Sequence, residues 1–184
     1  MGPGSSLSSL GLYAFSHGDL WHLVMNMWAL WVFGNPVNRR LGNVYYALVY
    51  LGAVVLLGLF ARLTMSACLL GASGAIFAVI AVALILMPQA IIEIACVAFF
   101  PLTLILGLLS KPAQSWQWLL RSAVYDIPAL WALALVPLME LFLFWWDHWS
   151  PSSLAHLLGM LCGVGAVLVL PTRVTMRRSA LIGA

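Results

Sequence analysis

The sequence predicts an all-α, polytopic membrane helical bundle, and three observations carry that prediction. Of 184 residues, 64% are hydrophobic and 7% charged, whereas roughly a quarter of a soluble domain's residues carry charge. The apolar residues lie in long continuous runs, unlike the short alternating segments of a transmembrane β-barrel. At about 20 apolar residues per crossing, the chain has room for roughly five or six spans and no sizeable soluble domain.

The apolar runs cover about 20–37 (A), 43–61 (B), 67–87 (C), 90–109 (D), 127–146 (E) and 154–171 (F). Turn and charge signals separate them. These are Gly34-Asn35-Pro36 with Arg39, Arg40 and Gly42 after A, Arg62 after B, Pro88 after C, and Ser110-Lys111-Pro112 after D. Asp147-His148 and Ser150-Pro151 follow E, and Pro171 with three arginines follows F. Without an internal repeat or a low-complexity linker, residues 7–171 read as one membrane domain and 172–184 as a basic cytoplasmic tail. Residues 1–6 lack the basic and apolar regions of a signal peptide and read as a cloning remnant, so the native chain is expected to begin further upstream. Cys68, Cys96 and Cys162 are odd in number and lie in or beside apolar segments. A small buried hydrophobe is the default there, and neither a disulfide framework nor a metal site is expected.

The net charge of +3 arises from eight basic and five acidic residues. The basic residues cluster between or after apolar runs, a signal of topology and not of nucleic-acid binding. Short cytoplasmic loops are enriched in Lys and Arg, so Arg39 and Arg40 place the end of A inside, and Arg173, Arg177 and Arg178 do the same for F. A, C and F then run outside to inside. Between the inner end of C and the outer start of F the chain must cross an odd number of times, yet two apolar runs lie there. Run D contains Glu93 and Pro101 and is followed by Lys111 and Arg121, which belong inside. D is therefore expected to lie along or dip into the inner leaflet while E crosses, giving five crossings and one re-entrant or interfacial segment.

Polar side chains inside such runs cost several kcal/mol, so each asks for a reason. His22 and Asn26 are four residues apart on one face of A, with His17 on the preceding turn. Taken alone they fit a polar interhelical contact. Gly71-Ala-Ser73-Gly74 opens C, and small residues around a serine are most often a packing motif. The pattern also differs from the Gly-x-Ser-x-Gly elbow of soluble hydrolases. Glycines beside a nucleophile do, however, leave room for a substrate backbone and bare N–H groups at a helix start. His156 opens F above Gly159 and Gly163, a close-approach face; alone it fits an interfacial hydrogen bond. Topology joins the three features, because His17, His22, Asn26, Ser73 and His156 all fall near the outer ends of A, C and F. A serine, a histidine base and further donors at one depth are the parts of nucleophilic acyl transfer.

Taken together, these residues resemble the rhomboid intramembrane serine proteases. The likeness rests on His17 and His22 followed by Asn26, on Gly42 after an arginine pair, on Gly71-Ala-Ser73-Gly74, and on Ala155-His156 with Gly159 and Gly163. It covers about residues 12 to 170. The resemblance implies a six-helix bundle whose site opens outward and whose serine helix starts part-way down the membrane. It also implies Ser73 as nucleophile and His156 as general base, with His22, Asn26 and the Ser73 N–H around the oxyanion. Gly71, Gly74, Gly159 and Gly163 would support the site, and Phe77 matches an aromatic position that packs on the histidine, although a core aromatic one turn below Ser73 fits as well. Three departures stand out. Only 16 residues precede His17, too few for the family's first helix and its long outer loop, so that helix is expected to be missing. Asn38 stands where the family often has an acid. The stretch between C and F is longer than the core needs.

The expected activity is a serine endopeptidase that cuts transmembrane proteins within or near the bilayer by a Ser-His dyad. Asp19 is on the wrong element for a third member, and Glu93, Asp126 and Glu140 sit between C and F, Glu93 and Glu140 reading as helix-helix or interfacial contacts. The alternatives are a non-proteolytic relative that binds transmembrane clients, which would usually lack the serine or histidine, and a small transporter, which would string polar groups across the membrane. No cofactor, metal or nucleic-acid partner is expected, and the sequence leaves the oligomeric state open. The expected setting is a bacterial inner membrane with the site facing outward. His148 among Trp145, Trp146 and Trp149 reads as an interfacial belt, Gly52 and Gly58 read as packing positions, and Trp116, Trp118 and Arg121 read as a short amphipathic segment on the inner surface.

Overall fold

The computed structural model describes residues 6, 9–64, 70–99, 120–148 and 150–170, with backbone alone over 91–99 and 120–127. Run A is met by helical backbone from residue 20 to residue 41, as α2 (Leu20–Ala29), a π-helical stretch Leu30–Gly34, and α3 (Asn35–Leu41). The wide stretch has a local cause. Pro36 has no N–H to give, and its ring would press on the carbonyl of the preceding turn, a conflict that a wider turn relieves without ending the helix. Ahead of it, a short turn α1 (Ser9–Leu12) and a 3-10 turn Tyr13–Phe15 lie against α4 (Asn43–Thr64). The Tyr13 hydroxyl donates to the Val54 carbonyl at 2.9 Å.

Run C becomes α5 (Ser73–Leu86), the central helix, in which nearly every residue after Phe77 is buried. Its faces pack on all sides. Ala75 and Ala78 meet Ala53, Val54, Leu57 and Ala61 of α4; Val79 and Val82 meet Val37, Leu41 and Val49. Ile76, Ile80 and Leu84 pack with Ala129 at the start of α6 (Ala129–Trp146). The closest approach is to α7 (Pro151–Val169), where a Cβ at Gly159 would collide with the Gly74 carbonyl and one at Gly163 with the Ala78 carbonyl. In a bilayer, where lipid is as apolar as any side chain, such close backbone contact is what holds helices together. α4, α6 and α7 are long and apolar enough to cross a membrane by length and composition, and α5 is a shorter apolar helix. Outward-facing Leu48, Leu51, Leu135, Leu138, Phe142 and Leu161 are exposed, as expected of a surface covered by lipid.

The first half of run D is not helical: β1 (Ile91–Phe99) pairs antiparallel with β2 (Leu120–Pro128), from Ile91 opposite Pro128 to Phe99 opposite Leu120. β-branched residues, Ile91, Ile92, Ile94 and Val97 on one strand with Val124 and Ile127 on the other, favour the extended backbone. Among the described residues this sheet has two strands, β1 and β2. Arg121 lies in β2, while Trp116, Trp118 and the basic tail lie outside the described residues, as does Cys68.

Candidate functional site

Ser73 is the first residue of α5, and α5 has 14 residues. That is roughly 21 Å of helix against about 30 Å of hydrocarbon, so a helix whose far end reaches one face leaves Ser73 below the other. Gly71, just before it, has φ +94, a backbone region open to glycine at little cost. The loop is anchored where the Gly71 N–H donates to the Tyr13 carbonyl at 3.1 Å.

From α7, His156 brings its Nε2 to 2.9 Å from the Ser73 Oγ. The two residues lie 83 positions apart in sequence, and the glycine contacts between α5 and α7 are what bring them within reach. Phe77, one turn along α5, stacks on the imidazole with centroids 4.1 Å apart and planes 7° from parallel. The stack fixes the plane of the ring. Ser73, Phe77 and His156 are all half-buried, so the pair is desolvated in part yet open to a reactant.

His17, His22 and Asn26 form a neighbouring group. The rings of His17 and His22 meet edge to face at 5.1 Å. A Cβ on Gly71 would fall 2.8 Å from His22 Cε1 and 3.6 Å from Asn26 Nδ2, so these side chains border the loop that leads into Ser73. Asn26 is 6% exposed, and its buried Nδ2 has no hydrogen-bond partner, like the buried Nε2 of His17. Unused donors beside a nucleophile are available to a developing anion. Asp19 caps α2, which carries His22 and Asn26: its carboxylate accepts from the His22 N–H at 2.7 Å.

Glu140 of α6, expected to make a helix-helix or interfacial contact, meets α7: its Oε2 stands 3.1 Å from His156 Nδ1. The contact lies off the line of a hydrogen bond, since neither atom has a partner with that geometry. A signal for it was present. Only Asp147–Ser150 separates α6 from α7, a short link that makes antiparallel neighbours, and Glu140 and His156 lie at comparable distances from that link. Tyr13, whose hydroxyl and carbonyl tie α4 to the Gly71 loop, carried no such signal.

A family model described as Rhomboid domain matches residues 5–173. The chain is 40% identical over 93 residues to Rhomboid protein 1, mitochondrial, of Saccharomyces cerevisiae, across 47% of this chain and 27% of that protein. It is 33% identical over 101 residues to Presenilin-associated rhomboid-like protein, mitochondrial, of Mus musculus, across 52% of this chain and 27% of that protein. The matched part thus spans about a quarter of either relative's length. No solved structure matches the chain.

Proposed function

Because the chain belongs to the rhomboid family, a family of multi-pass membrane proteins, we propose that it is an intramembrane serine endopeptidase acting through Ser73 and His156 on transmembrane protein substrates. The observation that carries the reading is the 2.9 Å approach of His156 Nε2 to the Ser73 Oγ. With Nδ1 carrying the ring proton, the Nε2 lone pair accepts from the Ser73 O–H. As Oγ bonds to the substrate's carbonyl carbon, that proton passes to Nε2 and the carbonyl π electrons move onto oxygen. The anion so formed lies toward His22, Asn26 and the Ser73 N–H. Collapse of the intermediate breaks the C–N bond, the imidazolium protonates the leaving amine, and water repeats the sequence on the acyl-enzyme. Gly71 leaves room for the His22 ring beside the loop into Ser73, and Gly74, Gly159 and Gly163 hold α7 close enough for His156 to serve.

The client-binding alternative does not need a serine and a histidine in hydrogen-bonding contact, and they are in contact here. As for the setting, both named relatives are mitochondrial by name and lend no support to a bacterial inner membrane. The chemistry asks only for a bilayer with the site on the side opposite Arg39 and Arg40. The test is cleavage of a transmembrane reporter by Ser73→Ala and, separately, His156→Ala protein. Both are expected to fall to background, and undiminished cleavage by either removes that residue from the mechanism.

A further inference from the structure

We propose that Glu140 is a positioning residue for the reaction assigned above, acting through His156 as the third member of a Ser73–His156–Glu140 relay. The inference rests on that reading of the serine and histidine. Its first support is the pattern of burial on α6. This helix fully buries only Ala129, at its start, and Glu140, which is 4% exposed, with Ala132, Leu133, Val136 and Pro137 half-buried between them. A carboxylate on a lipid-facing helix is costly unless a partner offsets it. The helix nevertheless turns its single acid inward.

The second support is where that acid points. Glu140 Oε2 is 3.1 Å from His156 Nδ1, while the opposite ring nitrogen is 2.9 Å from the Ser73 Oγ. The imidazole therefore stands between an acceptor on one side and the nucleophile on the other. Catalytic hydrogen bonds are often poorly aligned before substrate arrives and tighten afterwards, so the off-line approach at Nδ1 fits the role.

The third support is a task that no other described group performs. Phe77 sets the plane of the imidazole by stacking but has no atom that can accept a proton's hydrogen bond, so it cannot select which nitrogen carries the hydrogen. A carboxylate at Nδ1 selects the tautomer whose Nε2 lone pair faces Ser73, and it offsets the positive charge formed on proton uptake. The other acids with described side chains are otherwise placed: Asp19 accepts from the His22 N–H, and Asp147 is exposed beyond the end of α6.

The experiment uses the full chain in phosphatidylcholine vesicles and a fluorophosphonate probe. In labelling, a bond forms between Ser73 Oγ and phosphorus, the P–F bond breaks, fluoride leaves with the electron pair, and the hydroxyl proton passes to His156. Glu140→Gln keeps the size of the side chain and removes its charge. It is expected to lower the limiting labelling rate by about 10²–10⁴-fold with little change in the half-saturating probe concentration, and Glu140→Asp is expected to restore most of the rate. Glu140→Gln protein that labels within about threefold of the parent overturns the proposal. Ser73→Ala protein that still labels overturns the serine assignment beneath it, so the two failures are distinguishable. Should Glu140→Gln not fold, a low-field proton resonance from the His156 ring N–H in the parent protein decides: present, and lost in His156→Ala, it supports the carboxylate bond; absent, it overturns it.

Discussion

At the scale of single residues, the site depends on which polar atoms are buried and whether they are used. Asn26 is 6% exposed with an Nδ2 that has no hydrogen-bond partner, a state that costs about 1–3 kcal/mol unless something recovers it. On the mechanism proposed above, an oxyanion would supply that recovery only when the tetrahedral intermediate forms, so the donor would contribute to kcat rather than to binding. Asn26→Ala is accordingly expected to lower kcat on a transmembrane reporter by about 10²–10³-fold with KM nearly constant. A change confined to KM would remove Asn26 from the oxyanion site. Ser73, His156, His22 and Asn26 were legible in the sequence because polar residues in apolar runs are conspicuous and the charge pattern puts them at one depth. Glu140 was just as conspicuous, and the helix-helix contact expected of it falls on His156. A one-dimensional reading does not show that the face of a helix carrying an acid is the one face it buries.

At the scale of elements, small residues decide what the long apolar runs leave open. Gly74 and Ala78 on α5 face Gly159 and Gly163 on α7 so closely that a Cβ on either α7 glycine would meet a carbonyl oxygen of α5. Backbone cannot yield as a flexible side chain does, and overpacking of this kind costs about 1–3 kcal/mol or more. Gly159→Ala should therefore lower thermal stability and, by pushing α7 from α5, abolish fluorophosphonate labelling. Gly165→Ala, where nothing lies within 4 Å of an added Cβ, should retain both, because alanine is the better helix former. Equal behaviour of the two variants would show that the glycine seam does not set the distance between serine and histidine. Helix existence was readable from the runs, since B, E and F correspond to α4, α6 and α7. The ribbon of β1 and β2 was not, because an apolar stretch rich in β-branched residues reads alike for a buried helix and a strand.

For the whole molecule, the arrangement fixes which ends of the helices share a side. Ser73 begins α5 and His156 lies near the start of α7, and His22 lies near the start of α2. These helices must therefore run the same way for the site to exist. With the native cysteines replaced, a membrane-impermeant maleimide should reach cysteines at Ser16 and Ser152 from one side of oriented vesicles and a cysteine at Asn43 from the other. Labelling of Ser16 and Asn43 positions from the same side would refute this orientation. Class and approximate spans are properties of the sequence itself, because bilayer solvation acts on each segment according to its own composition. The pairing of 91–99 with 120–128, the seam between α5 and α7, and the choice of the α6 face that brings Glu140 to His156 were decided only by tertiary structure. Each depends on contact between segments distant along the chain, and no periodicity within a segment encodes which face of its neighbour it will meet.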